Sequence, residues 1–348
     1  MRLKRYSAVL FAIGFLLVSA STVRSQLRAR VELVVVPVNV RDTDRRLVTG
    51  LTKDDFIVTE DGITQTLSTF SVDPAPLSAA IVVDDGMGGT ALKRLVSVLN
   101  VMTSGFSPED EMASFRYDHF VWKLSDFTND PKRIEKSFNE LAKIAETRPA
   151  LGEPGDPAAG GGPEWLRALG ATVTIGTTGP PNPIPTAADR PKPVPTSRVL
   201  HQAIQEAANA LKARPESRRK IIFLISDGQV AGPGASRLTD QNMDLLLQSN
   251  IQVYSVATDY AIFEGDLSVL TAYAKATGGD VFNGGSAKEM ETAFTRITEQ
   301  ARNQYVLGYT SSNEPRASGG VFREINVRTS YPGHTVTHRR GYMQYPER

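Results

Sequence analysis

The chain has 348 residues, enough for two or three domains. Hydrophobic residues make up 41% and charged residues 22%, so a sizeable core can form. A formal net charge of +1 excludes binding to nucleic acid or anionic membranes through bulk charge, and the absence of cysteine excludes disulfides, thiolate metal sites and cysteine nucleophiles. Arg2, Lys4 and Arg5 precede an apolar run from Ala8 to Val18, and Val18-Ser19-Ala20 fits a small-residue cleavage site. This predicts a signal peptide over residues 1–20 and an exported protein, periplasmic or secreted, with no membrane span left after cleavage. The run is short of the roughly 20 residues a spanning helix needs.

Residues 29–73 read as a β segment. RVELVVVPVNV is Val-rich and partly alternating, and Pro37 predicts an edge strand. In DFIVTEDGITQTLSTFSV, Asp61-Gly62 is a hairpin signal between two alternating runs. Asp73-Pro74-Ala75-Pro76 reads as a linker.

From Leu77 the period changes. Residues 78–83 form a near-continuous apolar run, as in a strand buried on both faces. A helix follows with Leu92, Leu95, Val96 and Leu99 on one face. Strands are predicted at 111–117 and 120–124, then a helix opened by Asp130-Pro131 with Ile134, Phe138, Leu141 and Ile144 inward. Residues 147–197 hold eleven of the 21 prolines and read as a linker-like insertion. Beyond it come a helix at 197–213, an apolar strand at 220–226, a helix at 238–248 and an apolar strand at 251–257. A helix at 266–277 stopped by Gly278-Gly279, a short strand at 280–282 and a helix opened by Ser286 and Glu289 complete this part. Alternating strands and helices predict βαβ units and a mostly parallel sheet. Residues 304–345 return to β patterning, and two arrangements stay open: the two β ends pair into one sandwich-like module, or they stay apart.

Two apolar strands end in acid. One ends VVDDGMGGT, placing Asp84 and Asp85 in a Gly-rich loop before a helix; the other ends FLISDGQ, placing Ser226, Asp227 and Gly228 in the same layer. Carboxylates and hydroxyls meeting beyond the strand ends suit a hard divalent cation. Gly86 to Ala91 also fits the dinucleotide pattern G-x-G-x-x-A, but two carboxylates at that strand end would repel phosphate. The sequence has no G-x-S-x-G and no H-E-x-x-H. His334 and His338 lie four apart in a strand pattern and read as an exposed face, as does the pair Arg339-Arg340. No residue stands out as catalytic, and no organic cofactor is expected.

This order of elements over residues 77–303 resembles a von Willebrand factor type A (VWFA) domain. The flanks GLTKDDFIVTEDGITQTLSTF at 50–70, NQYVLGYTSS at 303–312 and the closing REINVRTS and HRRGYM resemble the secreted VWFA-related family named after acidobacteria. The resemblance implies an α/β, Rossmann-like, mostly parallel sheet with helices on both faces, plus a small β module from the terminal segments. It also implies a metal-ion-dependent adhesion site with the motif Asp-x-Ser-x-Ser. Asp84 matches the motif's Asp, Gly86 and Gly88 replace both serines, and Asp227 matches the second acidic position. Thr196 and Ser197 are the nearest residues to a later-loop Thr ligand, and Asp85 or Thr90 are substitutes without motif support. The expected function is an exported, non-enzymatic, adhesion-type module that binds a protein partner at a degenerate site, with Mg²⁺ or another divalent cation as its one candidate cofactor. Gly86, Gly88 and Gly228 are expected at the contact loops. The alternative is a metal-independent structural or assembly protein of the cell envelope.

Overall fold

The computed structural model describes residues 33–87, 89–147, 199–230, 235–258, 267–314 and 319–345. The expected signal peptide and nearly all of the proline-rich insertion lie outside these residues. Among the described residues, no helix is long and apolar enough to cross a membrane.

The first part of the chain supplies β1 (Leu33–Arg41), β2 (Phe56–Glu60), β3 (Ile63–Gln65) and β4 (Leu67–Ser71). Asp61 and Gly62 both take positive φ, 49° and 82°, which turns β2 tightly into β3 with Glu60 opposite Ile63. The α/β part runs β5 (Leu77–Asp84), α1 (Gly89–Ser104), β6 (Glu111–Tyr117), β7 (Val121–Thr128), α2 (Pro131–Thr147), α3 (Val199–Lys212), β8 (Arg219–Ser226), α4 (Ala235–Gln248), β9 (Ile251–Ala257), α5 (Ser268–Thr277), β10 (Val281–Asn283) and α6 (Ala287–Arg302). The chain then returns to strands: β11 (Tyr305–Thr310), β12 (Val321–Thr329), β13 (Thr335–His338) and β14 (Gly341–Gln344).

The α/β sheet has the order β10-β9-β8-β5-β6-β7. All neighbours are parallel except β7, which runs antiparallel to β6. Counted within the sheet this is the doubly wound order 3-2-1-4-5-6, and its switch point lies between β5 and β8. The alternation along β5 explains why both of its faces are apolar. Leu77, Ala79, Ile81 and Val83 pack with Leu92, Leu95, Phe138, Leu141, Phe294 and Ile297 from α1, α2 and α6. Ala80 and Val82 pack with Leu200, Ile204, Leu246, Leu270 and Tyr273 from α3, α4 and α5. Each large apolar side chain buried this way contributes about 1.5–3 kcal/mol relative to exposure.

The terminal strands form two four-stranded sheets, β13-β1-β11-β4 and β14-β12-β2-β3. Between them sit Val34, Val36, Val38, Val40, Phe56, Val58, Leu307 and Val327. Strands from both chain ends thus share one sandwich, with the α/β part inserted between them. Pro37 departs from its expected place: β1 is an internal strand. Its pairing with β13 begins at Val38, however, so at Pro37 the neighbour is β11 on one side alone. The missing N–H is tolerated because β1 is locally an edge there.

The sandwich packs against the end of the α/β sheet where the parallel strands begin. Arg41 bonds Asp280 at 2.8 Å, ahead of β10. The backbone of Arg339 meets Gly278 so closely that a Cβ on that glycine would lie 2.7 Å from backbone atoms of His338 and Arg339. Gly278 also has φ +80°, so both geometry and space require glycine at this helix stop. The exposed face expected for Arg339 is a second correction. Its side chain is buried, donates to the Leu247 carbonyl at 3.3 Å and the Asn250 side chain at 2.7 Å, and lies over the Tyr342 ring. It satisfies a carbonyl at the C-terminus of α4, which an isolated sequence presents as ordinary basic surface. Arg219 does the same for α6, donating to the carbonyls of Ala301 and Arg302, and it also reaches those of Asp73 and Gln304 on the two connections into the sandwich.

Candidate functional site

The opposite end of the sheet carries the acidic residues. β5 and β8 are hydrogen-bonded neighbours in parallel register, with Val83 opposite Ile225, so their carboxyl ends bring Asp84 beside Ser226 and Asp227. β6 lies on the other side of β5 and places Tyr117 opposite Asp84. Parallel pairing alone therefore converges four oxygen-bearing side chains at the switch point.

Asp84 is nearly buried, at 8% exposure. Its Oδ1 accepts the N–H of Gly86 at 3.0 Å. Its Oδ2 faces two hydroxyls, Tyr117 Oη at 3.0 Å and Ser226 Oγ at 3.1 Å. Those two oxygens are themselves 2.7 Å apart. Ser226 Oγ also accepts the N–H of Gly228 at 3.0 Å, and Asp227 Oδ1 accepts that of Gln229 at 3.0 Å. Burial pushes the Asp84 carboxyl well above the usual carboxylate range, and the Asp227 charge adds to this. Burial and the Asp84 charge likewise push the Tyr117 phenol well above its ordinary value.

The other sequence candidates are placed differently. Asp85 is fully buried; its Oδ2 accepts Arg116 Nη1 at 2.5 Å, and the Arg116 guanidinium lies over Trp122. Thr90 is exposed at the start of α1. Gly86 and Gly228 sit half-buried in the two loops, Gly228 with φ 73°. Gly88, Thr196 and Ser197 lie outside the described residues. The Gly86 N–H is spent on Asp84, so the dinucleotide pattern does not present it to a phosphate. His334 and His338 do not converge: His334 Nδ1 meets Thr329 Oγ1 at 3.1 Å, while His338 Nε2 accepts the N–H of Val327 at 3.2 Å.

Tyr117 is the member that sequence reasoning missed. A Tyr closing the run EMASFRY reads as core, and its ring is core, with 4% exposure. The signal was register: a tyrosine at the carboxyl end of the strand beside β5 puts its hydroxyl level with the acid.

A divalent cation is what the sequence resemblance implies at this place; of the residues it would draw on, Asp84 and Asp227 are described and Gly88, Thr196 and Ser197 are not. Gly86 brings no hydroxyl, Asp85 is held by Arg116, and the Oδ2 side of Asp84 is closed by two hydroxyl oxygens within 3.1 Å. On the Oδ2 side of Asp84, a cation coordinated at about 2.0–2.6 Å would meet the Tyr117 and Ser226 hydroxyls. Among the described residues, no group of three or more His, Asp or Glu side chains is arranged to hold a metal.

No family model matches the chain, and no curated protein matches it. Solved structures of VWA-domain proteins are similar to it. BatB from Bacteroides thetaiotaomicron is 12% identical, covering 65% of this chain and 98% of its own, with a TM-score of 0.38. A von Willebrand factor type A protein from Catenulispora acidiphila is 7% identical, covering 91% and 75%, with a TM-score of 0.42. Proximal thread matrix protein 1 from the mussel byssus, described with a zinc-occupied MIDAS motif, is 11% identical, covering 71% and 50%, with a TM-score of 0.39. Such distant likenesses leave partner and metal to be argued from the chain's own residues.

Proposed function

We propose that this chain is an exported, non-enzymatic protein-binding module that contacts its partner through the loops following β5, β6 and β8. One observation carries the reading. The sandwich occupies the end of the sheet where the parallel strands begin, and the switch-point end, with Asp84, Ser226 and Asp227, faces away from it. In doubly wound sheets that crevice is where ligands bind. The rim offers exposed His119 and Gln229 and a half-buried Phe120–Trp122 pair, a mixture of polar and aromatic groups suited to protein contact. The Ser226 hydroxyl beneath it is bonded to Asp84, Tyr117 and the Gly228 N–H, with no histidine or lysine among these partners, which supports recognition over chemistry. The reading places recognition on loop shape and hydrogen bonds, without a bridging metal. Export rests on the N-terminal pattern alone.

The test compares three surface variants for co-purification of a partner from the extracytoplasmic fraction. Gln229→Arg and His119→Glu are expected to lose a partner that Ile63→Arg, on the sandwich hairpin, retains. Loss with Ile63→Arg and retention by the other two would move the contact to the sandwich. Sequencing the N-terminus of the chain recovered from that fraction checks the cleavage after Ala20.

A further inference from the structure

β12 pairs with β14 from Val321 to Glu324 and with β2 from Ile325 to Thr329. Two of its N–H groups beyond Glu324 go to the chain that links β13 to β14. Ile325 donates to the Arg340 carbonyl at 2.9 Å, and Val327 donates to His338 Nε2 at 3.2 Å. An imidazole nitrogen thus takes the place of a strand carbonyl. It does so across the sandwich, because His338 ends β13 in the other sheet. The partners fix the roles at this ring. A backbone N–H can only donate, so Nε2 carries no hydrogen. The Arg339 carbonyl, 2.8 Å from Nδ1, can only accept, so Nδ1 carries one. His338 is therefore neutral here. A second proton has one place to go, Nε2, where it would face the Val327 N–H and leave two donors in contact.

We infer that His338 is a proton-sensitive latch: neutral, it ties β12 to the corner between β13 and β14, and protonated in mild acid, it releases that corner. The same corner seats the sandwich on the α/β part. Arg340 donates its N–H to the Ala276 carbonyl at 2.9 Å, Arg339 bridges Thr277, and the backbone at 338–339 closes over Gly278. Release therefore loosens the joint between the two parts, whatever partner the loops bind. The surroundings favour the neutral ring. Of the elements packed against β13, β1 brings Arg41, β12 brings Arg323, Glu324 and Arg328, and α5 brings Lys275; Arg339 and Arg340 follow on its own chain. Glu324 is exposed, and Glu60, the buried acid of the sandwich, is held by its own donors. Burial lowers the His338 imidazole below its ordinary 6.5, with the Arg339 carbonyl pulling the other way. The latch is thus fully closed above about 6.5 and is lost as pH falls through the folded value.

Two measurements on the full chain test this. The first follows the imidazole nitrogens of wild type by NMR from pH 8 to pH 5. His338 is expected to be protonated at Nδ1 alone in its neutral form, with a midpoint below 6.5. A neutral form protonated at Nε2, or a midpoint at or above 6.5, would overturn the latch. The second compares wild type with His338→Gln, whose amide oxygen can accept the Val327 N–H and does not titrate. Buried His201 also has a lowered value, but it is common to both chains and cancels. The folded-to-unfolded ratio of wild type relative to the variant is expected to fall from pH 7 to pH 5, about tenfold for each unit by which the folded value lies under 6.5. In wild type alone, the Val327 and Arg340 amides should lose hydrogen-exchange protection in acid ahead of Ile222 in the α/β sheet. A constant ratio, or uniform loss of protection, would overturn the proposal.

Discussion

Two buried acids in this protein are held by tyrosine hydroxyls, and they are built for different ends. Glu60, at the end of β2, is fully buried inside the sandwich. It accepts Tyr309 Oη at 2.7 Å, Tyr342 Oη at 3.1 Å, Ser311 Oγ at 2.5 Å and Asn313 Nδ2 at 2.7 Å. Those donors come from both sheets and from the chain after β11, so the carboxyl ties the two layers together. Asp84 accepts fewer donors, lies at a sheet end rather than between layers, and has Asp227 beside it. A carboxyl ringed by donors is a clamp. A carboxyl at a sheet end, buried and flanked by another acid, is one whose surroundings push its pKa up.

The largest expected effect breaks the clamp. Glu60→Ala would strand four donors, each costing about 1–3 kcal/mol if it finds no new acceptor, for a net loss of about 3–5 kcal/mol in urea unfolding. That is a large share of the roughly 5–15 kcal/mol a domain possesses. Next come the paired tyrosines. Tyr309→Phe, which removes a donor from the fully buried Glu60, should cost about 1–3 kcal/mol, and Tyr117→Phe, at the sheet end, about 0.5–1.5 kcal/mol. Equal losses in the two variants would erase the distinction drawn between the acids.

A smaller effect is a dependence on pH. Because the folded Asp84 carboxyl sits above its ordinary value of 3.8, the folded chain keeps a proton that the unfolded chain has released. This contribution is full below the ordinary value and is lost as pH rises through the folded one. The stability of wild type relative to Asp84→Asn should therefore fall as pH is raised from about 4, and a flat difference would contradict the assignment. A small effect is expected from Ser311→Ala, about 0.5–1.5 kcal/mol, because Ser311 is only half-buried and water can take its place on Glu60.

Much of this architecture is legible in the residues. The apolar runs at 78–83, 220–226 and 251–257 have no polar face, so they had to be strands covered by helices on both sides. The acids ending two of them mark the switch-point end of the sheet. Glu60 was legible too: in FIVTE it shares the face of Phe56 and Val58, so the alternation carries a carboxyl inward. What escaped reading depends on pairing across the sheet. The Tyr117 partnership needs the β5–β6 register, and the burial of Arg339 needs the end of α4 nearby. The tolerance of Pro37 inside a sheet needs to be seen one residue at a time, because β13 reaches β1 no further than Val38.

The interleaving of the sandwich also bears on the order of folding. β1 pairs with β11 and β13, and β2 with β12, so none of these partnerships can form until the α/β part has been made. Pairings this distant in sequence raise contact order and slow closure. During synthesis β1 to β4 emerge first and wait as a hairpin and loose edges, the kind of surface that invites pairing between chains. Arg219 shortens that wait. By holding the carbonyls of Asp73 and Gln304 together, a completed α/β part presents the two ends of its chain side by side, so that the last search is local. Substituting Arg219 should therefore slow refolding of the sandwich more than it weakens the finished protein.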